Sequence, residues 1–82
     1  MNLQSEIKNF ILQNFLFSAD PGALSDVDSL LQKGIVDSTG ILELVLHLEQ
    51  TYQITVLDDE MLPSNLDSVN AIASFVTRKR GQ

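Results

Sequence analysis

The side chains that could do chemistry in this sequence are few. The 82-residue chain contains one histidine, His47, and no cysteine. Three serines directly follow an aspartate: Ser29, Ser38 and Ser68. An aspartate–serine pair most simply caps the start of a helix, with a hydroxyl left at the surface. No second nucleophile–base set accompanies these serines, so catalysis is the least favoured function, and we expect His47 to be a solvated residue at a helix edge.

Ser38 stands where a loop passes into a strongly patterned helix. Gly34 breaks the chain before it, and Ile35 and Val36 are typical of loop residues that tuck into a core. Behind it, apolar residues recur at helical spacing: Ile41, Leu44, Val45, Leu48 and Tyr52. This pattern predicts a helix from about Ser38 to Tyr52, with Ser38 at or next to the N-cap. The helix should fix the backbone of Ser38 while its hydroxyl stays exposed.

Two elements precede that helix. The first is a helix over residues 3–17, whose apolar face is formed by Leu3, Ile7, Phe10, Ile11 and Phe15 (or Leu16). A long connection then covers residues 18–36, with a short helical turn expected within residues 25–31. Its apolar residues should pin it to the core: Leu24, Val27, Leu30, Leu31, Ile35 and Val36.

Three elements follow the helix of Ser38. Residues 53–56 are a β-prone connector, too short to build a sheet. Residues 58–62 are predicted to form a short acidic helical turn that ends at Pro63. The last helix begins near Asp67-Ser68, carries three cations in its final turn and stops at Gly81. Its core positions are Val69, Ile72, Ala73 and Val76. Three longer helices, one short helix and a long first loop predict an all-α four-helix bundle.

Composition narrows the class of protein. Eleven acidic and five basic residues give a net charge of −6, which disfavours nucleic acid as a partner. The absence of cysteine excludes disulfides and cysteine-based metal sites, and one histidine excludes a histidine-rich site. No apolar run is long enough to span a membrane. We therefore expect residues 1–82 to form a single soluble, cytoplasmic, monomeric domain that holds no metal.

The run from Gly34 to Leu44 resembles the attachment site of acyl and peptidyl carrier proteins, and the segment from Leu62 to Val69 resembles the tail of free-standing carriers. The resemblance covers nearly the whole chain and implies an acyl-carrier-like bundle. It implies that Ser38 carries 4'-phosphopantetheine, attached covalently from coenzyme A by a phosphopantetheinyl transferase. In this family the arm holds acyl groups as thioesters and the protein supplies attachment and recognition. The neighbouring Asp37 would then help to position Mg²⁺ or a transferase group, although a second capping residue is an equally good explanation.

Ser38 is favoured over the other two serines by its surroundings. Asp28-Ser29 is followed by too few residues before Gly34 to open a long helix. Asp67-Ser68 opens the last helix but lacks the glycine and apolar lead-in, so Ser68 is better explained as a cap.

The helix after Ser38 also carries two leucines that its core stripe does not explain. Leu42 and Leu46 lie one turn apart beside that stripe, flanked by Glu43 and Glu49, and together with Thr39 they match the surface that carriers present to partner enzymes. The simpler alternative is that small domains expose some leucines anyway.

Departures from the family pattern thin the acidic face of that helix. Thr39 replaces the common leucine after the serine, and Gly40 stands where fatty-acid carriers often have an acid. These departures favour an acyl carrier of a dedicated biosynthetic pathway over one for general fatty-acid synthesis. The expected partners are the transferase, an acyl- or aminoacyl-activating ligase and downstream transferases. Two alternatives stay open: an aminoacyl or peptidyl carrier of a nonribosomal-peptide-like pathway, and an unmodified helical adaptor.

Overall fold

The computed structural model describes residues 3–18 and 20–81. It contains four α-helices: α1 (Leu3–Ile11), α2 (Ser38–Tyr52), α3 (Pro63–Leu66) and α4 (Val69–Arg80). Three of them are long, α3 is a single turn, and the described residues include no β-strand. Helix α4 packs against each of the other three, so the core forms around it. The predicted all-α bundle, with a long loop between its first two long helices, is confirmed.

The first helix changes geometry before it ends. We expected one helix over residues 3–17, but α-helical bonding stops at Ile11 and a π-helical turn, Leu12–Leu16, completes the element. Phe17 then adopts a left-handed backbone with φ of 52°, and its N–H donates to the carbonyl of Leu12. Leu12 is buried together with Ile7 and Ile11, an inward position that the α-helical spacing did not predict.

The long connection is pinned to the core by fewer residues than expected. Leu24, Leu30 and Val36 are buried, whereas Val27 is 73% exposed and Leu31 is also exposed, so those two assignments were wrong. Residues 21–23 form a 3₁₀ turn, and residues 25–31 contain hydrogen-bonded turns in place of the expected helical turn. Short turns leave the residues between the anchors facing outward, because no continuous helix aligns them on one face.

Helix α2 has the predicted bounds. It runs for 15 residues and buries Leu44, Val45 and Leu48. Its C-cap is Gln53, whose backbone is left-handed with φ of 58°. Residues 54–57 carry no regular structure, and Val56 is buried, so this connector is fastened to the core without forming a strand.

Pro63 begins a helix, which corrects the prediction that it ends one. Asp58–Glu60 form a 3₁₀ turn, and Pro63 is the first residue of α3. Proline suits that position because a first-turn residue needs no hydrogen-bonded N–H and its φ is already helical. Glu60 accepts the N–H of Leu57 and pairs with Lys79 at 2.9 Å, and both contacts hold the pKa of Glu60 below its ordinary value.

Helix α4 begins and ends as predicted. Ser68 is its N-cap and Gly81 its C-cap. All four predicted core residues of α4 are buried, and so is Phe75. The full core consists of Ile7, Ile11, Leu12, Leu24, Leu30, Val36, Leu44, Val45, Leu48, Val56, Leu66, Val69, Ile72, Ala73, Phe75 and Val76.

Candidate functional site

Ser38 is the first helical residue of α2, and Asp37 is the N-cap. Asp37 has an extended backbone, with φ of −101° and ψ of −173°, and its Oδ1 accepts the N–H of Gly40 at 2.7 Å. The carbonyl of Asp37 accepts the N–H of Ile41 at 2.9 Å. Ser38 is exposed, and its hydroxyl makes no hydrogen bond within the described part of the chain. The structure therefore places an available hydroxyl on the rigid first turn of a long helix.

The loop before Ser38 fixes where that turn lies. Gly34 has a positive φ of 69°, which favours glycine, and it turns the chain back toward Leu30. The N–H groups of Ile35 and Val36 both donate to the carbonyl of Leu30, at 2.9 and 3.2 Å. The buried side chains of Leu30 and Val36 hold both ends of this turn in the core. The chain is thus anchored immediately before Asp37.

The other two serines of the aspartate–serine pairs have structural roles. The hydroxyl of Ser29 donates to Oδ2 of Asp67, and that of Ser68 accepts the N–H of Ala71 at 3.1 Å. Both side chains are half-buried, whereas Ser38 is exposed. Of the three hydroxyls, that of Ser38 is the one that remains available for a covalent group.

The role of Asp67 was not predicted from the sequence. This residue holds the long loop beside α3 and α4. Besides the Ser29 hydroxyl, its carboxylate accepts the N–H of Leu31 at 3.0 Å. Its carbonyl accepts the N–H of Leu30 at 2.7 Å. Four-residue spacing in the sequence could not reveal this contact, because the bonded groups lie 36 to 38 residues apart.

A pocket of about 220 Å³ opens beside Ser38. Most of its lining residues are apolar, and one is acidic: they are Leu31, Ser38, Ile41, Met61, Leu62, Pro63, Leu66 and Asp67. Leu31 and Leu62 are also exposed to solvent. The local sequence pattern did not indicate that Met61 and Leu62 belong to this region, since the helix pattern after residue 57 is too short to assign a face. Ser38 thus has an apolar recess within reach of its hydroxyl.

The two leucines on the predicted outer face of α2 are exposed. Leu42 is 60% and Leu46 54% exposed, while Leu44 between them is fully buried. Thr39 and Glu43 are exposed as well. The structure therefore brings Ser38, Thr39, Leu42, Glu43 and Leu46 onto one helix with accessible side chains.

Glu49 differs from these residues. Its side chain is half-buried, and Oε2 accepts the N–H of Val56 at 2.9 Å, which fastens the connector after α2 to the helix. Glu49 was grouped with Glu43 because both flank the leucines in sequence. The carboxylate of Glu49 is hydrogen-bonded to the backbone of Val56, whereas Glu43 makes no such contact among the described residues.

His47 is not a solvated edge residue, contrary to our expectation. Its ring stacks on Phe10, with ring centroids 3.7 Å apart and an angle of 10° between planes. The ring is half-buried, and its Nδ1 lies 3.3 Å from the Thr51 hydroxyl. Burial lowers the pKa of His47 below its ordinary value. Histidine here is a packing residue between α1 and α2.

Two further features bear on the kind of site. No group of histidine, cysteine or carboxylate side chains within residues 3–18 and 20–81 is arranged to hold a metal ion. None of the helices described is long and apolar enough to cross a membrane.

Comparison with characterised proteins places the chain in a family. No protein-family profile matches it. It is 36% identical over 76 residues to a D-alanyl carrier protein of Streptococcus suis strain 98HAH33, covering 93% of this chain and 92% of that protein. It is 32% identical over 80 residues to a D-alanyl carrier protein of Streptococcus mutans serotype c, covering 98% of both chains. A D-alanyl carrier protein of Streptococcus sanguinis strain SK36 is 31% identical over 80 residues, again with 98% coverage of both.

These relatives are carriers and not enzymes, which agrees with the poor catalytic inventory of the sequence. The aligned region extends along almost the entire chain, so it spans the loop, the start of α2 and α4. The chain belongs to the family of small carrier proteins that includes the D-alanyl carrier proteins.

Proposed function

We propose that Ser38 carries a 4'-phosphopantetheine arm, transferred from coenzyme A by a phosphopantetheinyl transferase. The observation that carries the proposal is the exposed, unbonded hydroxyl of Ser38 on the first turn of α2. The relatives' name specifies D-alanine as cargo, and we extend that cargo to this chain. D-alanine is an aminoacyl group, so the cargo is closer to the aminoacyl alternative than to a fatty acid.

The residues around Ser38 fit such a group. The phosphate would sit near the free N–H groups of the first turn of α2, where the helix dipole favours negative charge. The apolar walls of the neighbouring pocket, including Ile41 and Met61, suit the aliphatic part of pantetheine. When bound, the arm supplies a terminal thiol that holds the acyl group as a thioester. The protein itself holds the anchoring oxygen on a fixed element, so that the arm and not the fold moves.

Asp37 contributes to this site mainly through its cap. Its carboxylate satisfies the N–H of Gly40 and thereby secures the first turn of α2. It remains exposed, so contact with a transferase or its Mg²⁺ is compatible with capping. We retain Asp37 as an adjacent recognition residue on that basis.

We further propose that α2 is the docking surface for the transferase, an aminoacyl-activating ligase and downstream transferases. The surface consists of Thr39, Leu42, Glu43, Leu46 and Glu49. The exposed leucine pair supports it, because apolar side chains next to an attachment site are typical anchors at interfaces. Glu43 would attract basic partners, whereas the carboxylate of Glu49 is already bonded to the Val56 N–H and should contribute less.

Intact-mass spectrometry tests the attachment site. The purified chain is incubated with coenzyme A, Mg²⁺ and a broad-specificity phosphopantetheinyl transferase. Wild type, Ser29→Ala and Ser68→Ala should gain the mass of one arm, and Ser38→Ala should gain none. The two control variants remove hydroxyls from identical aspartate–serine pairs, so they exclude a general effect of losing serine.

An unmodified adaptor is the competing function, and the exposed leucine pair alone favours it. Absence of a mass gain in folded wild type would support the adaptor. The cargo is tested separately, by incubating the modified protein with a D-alanine-activating ligase and D-alanine, with L-alanine as the matched control. Equal loading of D-alanine and L-alanine would mean that neither the carrier nor this ligase selects D-alanine.

A further inference from the structure

The π-helical end of α1 directs an aromatic ring toward the start of α2. In a π-helical turn, the backbone N–H of residue i+5 donates to the carbonyl of residue i, so residues five apart lie close together on the same face. Phe10 and Phe15 are such a pair, and their rings meet edge to face with centroids 6.0 Å apart and an interplanar angle of 74°. The ring of Phe15 is half-buried and packs against the core cluster. Its edge reaches Gly40 in the first turn of α2.

Gly40 leaves no room for a side chain. A Cβ atom added there would lie 2.9 Å from Cε1 of Phe15, 3.2 Å from Cγ1 of Val36 and 3.3 Å from Oδ1 of Asp37. Any of these contacts forces a neighbour to move. One of the neighbours is the carboxylate that caps α2, and it accepts the N–H of Gly40 itself at 2.7 Å. Phe15, Gly40 and the cap thus form one packed unit directly behind Ser38.

From this packing we propose that Gly40 and Phe15 are positioning residues for modification of Ser38. Phe15 occupies the space that a side chain at position 40 would need, and this contact fixes the first turn of α2 with Asp37 in its capping position. The turn in turn holds the Ser38 hydroxyl outward for the incoming phosphopantetheinyl group. The inference rests on the proposed function and adds two residues that touch neither the arm nor its donor.

The alternative explanation of Gly40 makes the opposite prediction. If glycine were merely tolerated there, Gly40→Ala should stabilise the helix, because glycine is a poorer helix former than alanine and its unfolded chain is more flexible. If the contact with Phe15 matters, Gly40→Ala should lower the melting temperature. Shortening the ring by Phe15→Leu removes Cε1 and should relieve that loss. The sign of the alanine effect should therefore depend on residue 15.

The experiment compares wild type, Gly40→Ala, Phe15→Leu and the double variant. Three quantities are measured: the melting temperature, hydrogen exchange of the residue 40 amide, and kcat/KM for arm transfer by the transferase. We expect Gly40→Ala to melt lower, to exchange faster at residue 40 and to lose at least about tenfold in kcat/KM, since a misplacement near 1 Å can cost on the order of 10²-fold. Phe15→Leu alone should slow arm transfer less than Gly40→Ala does, because the first turn of α2 loses a packing contact but keeps its cap. In that background, alanine at position 40 should bring the exchange of its amide and most of kcat/KM back to the values of Phe15→Leu alone.

A mild core variant in another helix separates positioning from stability. Ile72→Val shortens a buried side chain of α4 and changes no residue of α2's first turn or its cap. It should lower the melting temperature without slowing arm transfer at a temperature where it is fully folded. Equal slowing by Ile72→Val, a Gly40→Ala variant that melts higher than wild type, or an unchanged kcat/KM would each overturn the proposal. If wild type accepts no arm, the proposed function fails instead, while the melting and exchange data still decide whether Phe15 restricts position 40.

Discussion

Helices α2 and α4 both begin at an aspartate–serine pair, but the two pairs lie in frames that differ by one residue. At α2 the aspartate is the N-cap and Ser38 is already helical. At α4 the serine is the N-cap, and Asp67 stands outside the helix, where it binds the long loop. The same two side chains therefore give one helix a free hydroxyl, whereas at the other helix both side chains are hydrogen-bonded and half-buried.

The preceding element decides the frame. Asp67 is the C-cap of α3, with a helical backbone (φ of −86°, ψ of −6°) and its N–H bonded to the carbonyl of Pro63 at 2.9 Å. It cannot also adopt the extended backbone of an N-cap, so the next residue, Ser68, takes that position with φ of −148°. Asp37 follows a loop and is free to extend. A dipeptide motif thus acquires its role from the chain before it.

The two helices also differ in where their apolar side chains point. In α4 the large apolar residues, Val69, Ile72, Phe75 and Val76, are buried. In α2 an inward stripe coexists with two exposed leucines. Helix α4 turns its large apolar side chains inward, whereas α2 divides its apolar side chains between the core and the exposed surface that we propose as a docking site.

The largest expected effect tests that division within α2. Leu44→Ala removes a fully buried side chain and should cost about 2–5 kcal/mol of the free energy of unfolding. Leu42→Ala, two residues away and exposed, should change it by less than about 0.5 kcal/mol. Leu42→Ala should still slow arm transfer or cargo loading, since truncating an interface anchor commonly costs more than about 1 kcal/mol. Thermal melts and loading assays measure both, and equal destabilisation would place Leu42 in the core.

The next effect compares the two aspartates. Asp67→Ala leaves the half-buried Ser29 hydroxyl and the exposed Leu31 N–H without their acceptor, which should cost about 1–3 kcal/mol, because each net hydrogen bond lost contributes about 0.5–1.5 kcal/mol. Asp37→Ala removes one exposed cap and should cost about 1 kcal/mol. Urea unfolding at neutral pH gives both values. Asp67→Asn is the control that retains an acceptor oxygen, and it should fall between wild type and Asp67→Ala.

A smaller effect distinguishes the two serines. Ser68→Ala removes an N-cap that accepts the N–H of Ala71 and should cost about 1 kcal/mol. Ser38→Ala lies at the first helical position, with no hydrogen bond to lose, and should stay within about 0.5 kcal/mol of wild type. Denaturant unfolding of the two variants, read beside their arm uptake, should show opposite rankings: Ser68 matters for stability and Ser38 for modification. A Ser38→Ala variant as unstable as Ser68→Ala would mean that Ser38 also has a structural role.

The sequence predicted the strongly periodic parts of this fold and missed contacts between distant segments. The bounds of α2 were correct because Gly34 marks the break before it and five apolar residues repeat at helical spacing behind it. The inward stripe of α4 was correct for the same reason. The π turn at Leu12–Leu16 was missed because its residues satisfy an α-helical pattern equally well. Pro63 was misassigned because proline is common both just after the end of a helix and in the first turn of one.

The same distinction between local patterns and contacts of distant segments applies to the candidate site. Ser38 and the leucine pair follow from position within a single helix, so local spacing could place them. The roles of Asp67, Gly40 and Met61 depend on the folding of residues 57–67 and of Phe15 against α2, which no local pattern encodes. An unexplained glycine in the first turn of a helix was the one available signal. The solvated position expected for His47 failed similarly, since its partner Phe10 lies in another helix.

The smallest expected effect comes from that histidine, and it concerns α2's contact with α1. Burial lowers the pKa of His47 in the folded protein, so between that value and the ordinary value of 6.5 the unfolded chain binds more protons. Stability should therefore be fully present above about pH 6.5 and decline as the pH falls below it. The side chains in contact with the ring are Phe10, Thr51 and Tyr52, none of which carries a charge at neutral pH, so the shift arises from burial. Urea unfolding of wild type and His47→Gln from pH 7.5 to 5.5 measures the effect. The two curves should converge as the pH falls, because the glutamine variant lacks this proton-linked loss. Parallel curves would show that burial leaves the pKa of His47 the same in the folded and unfolded chain.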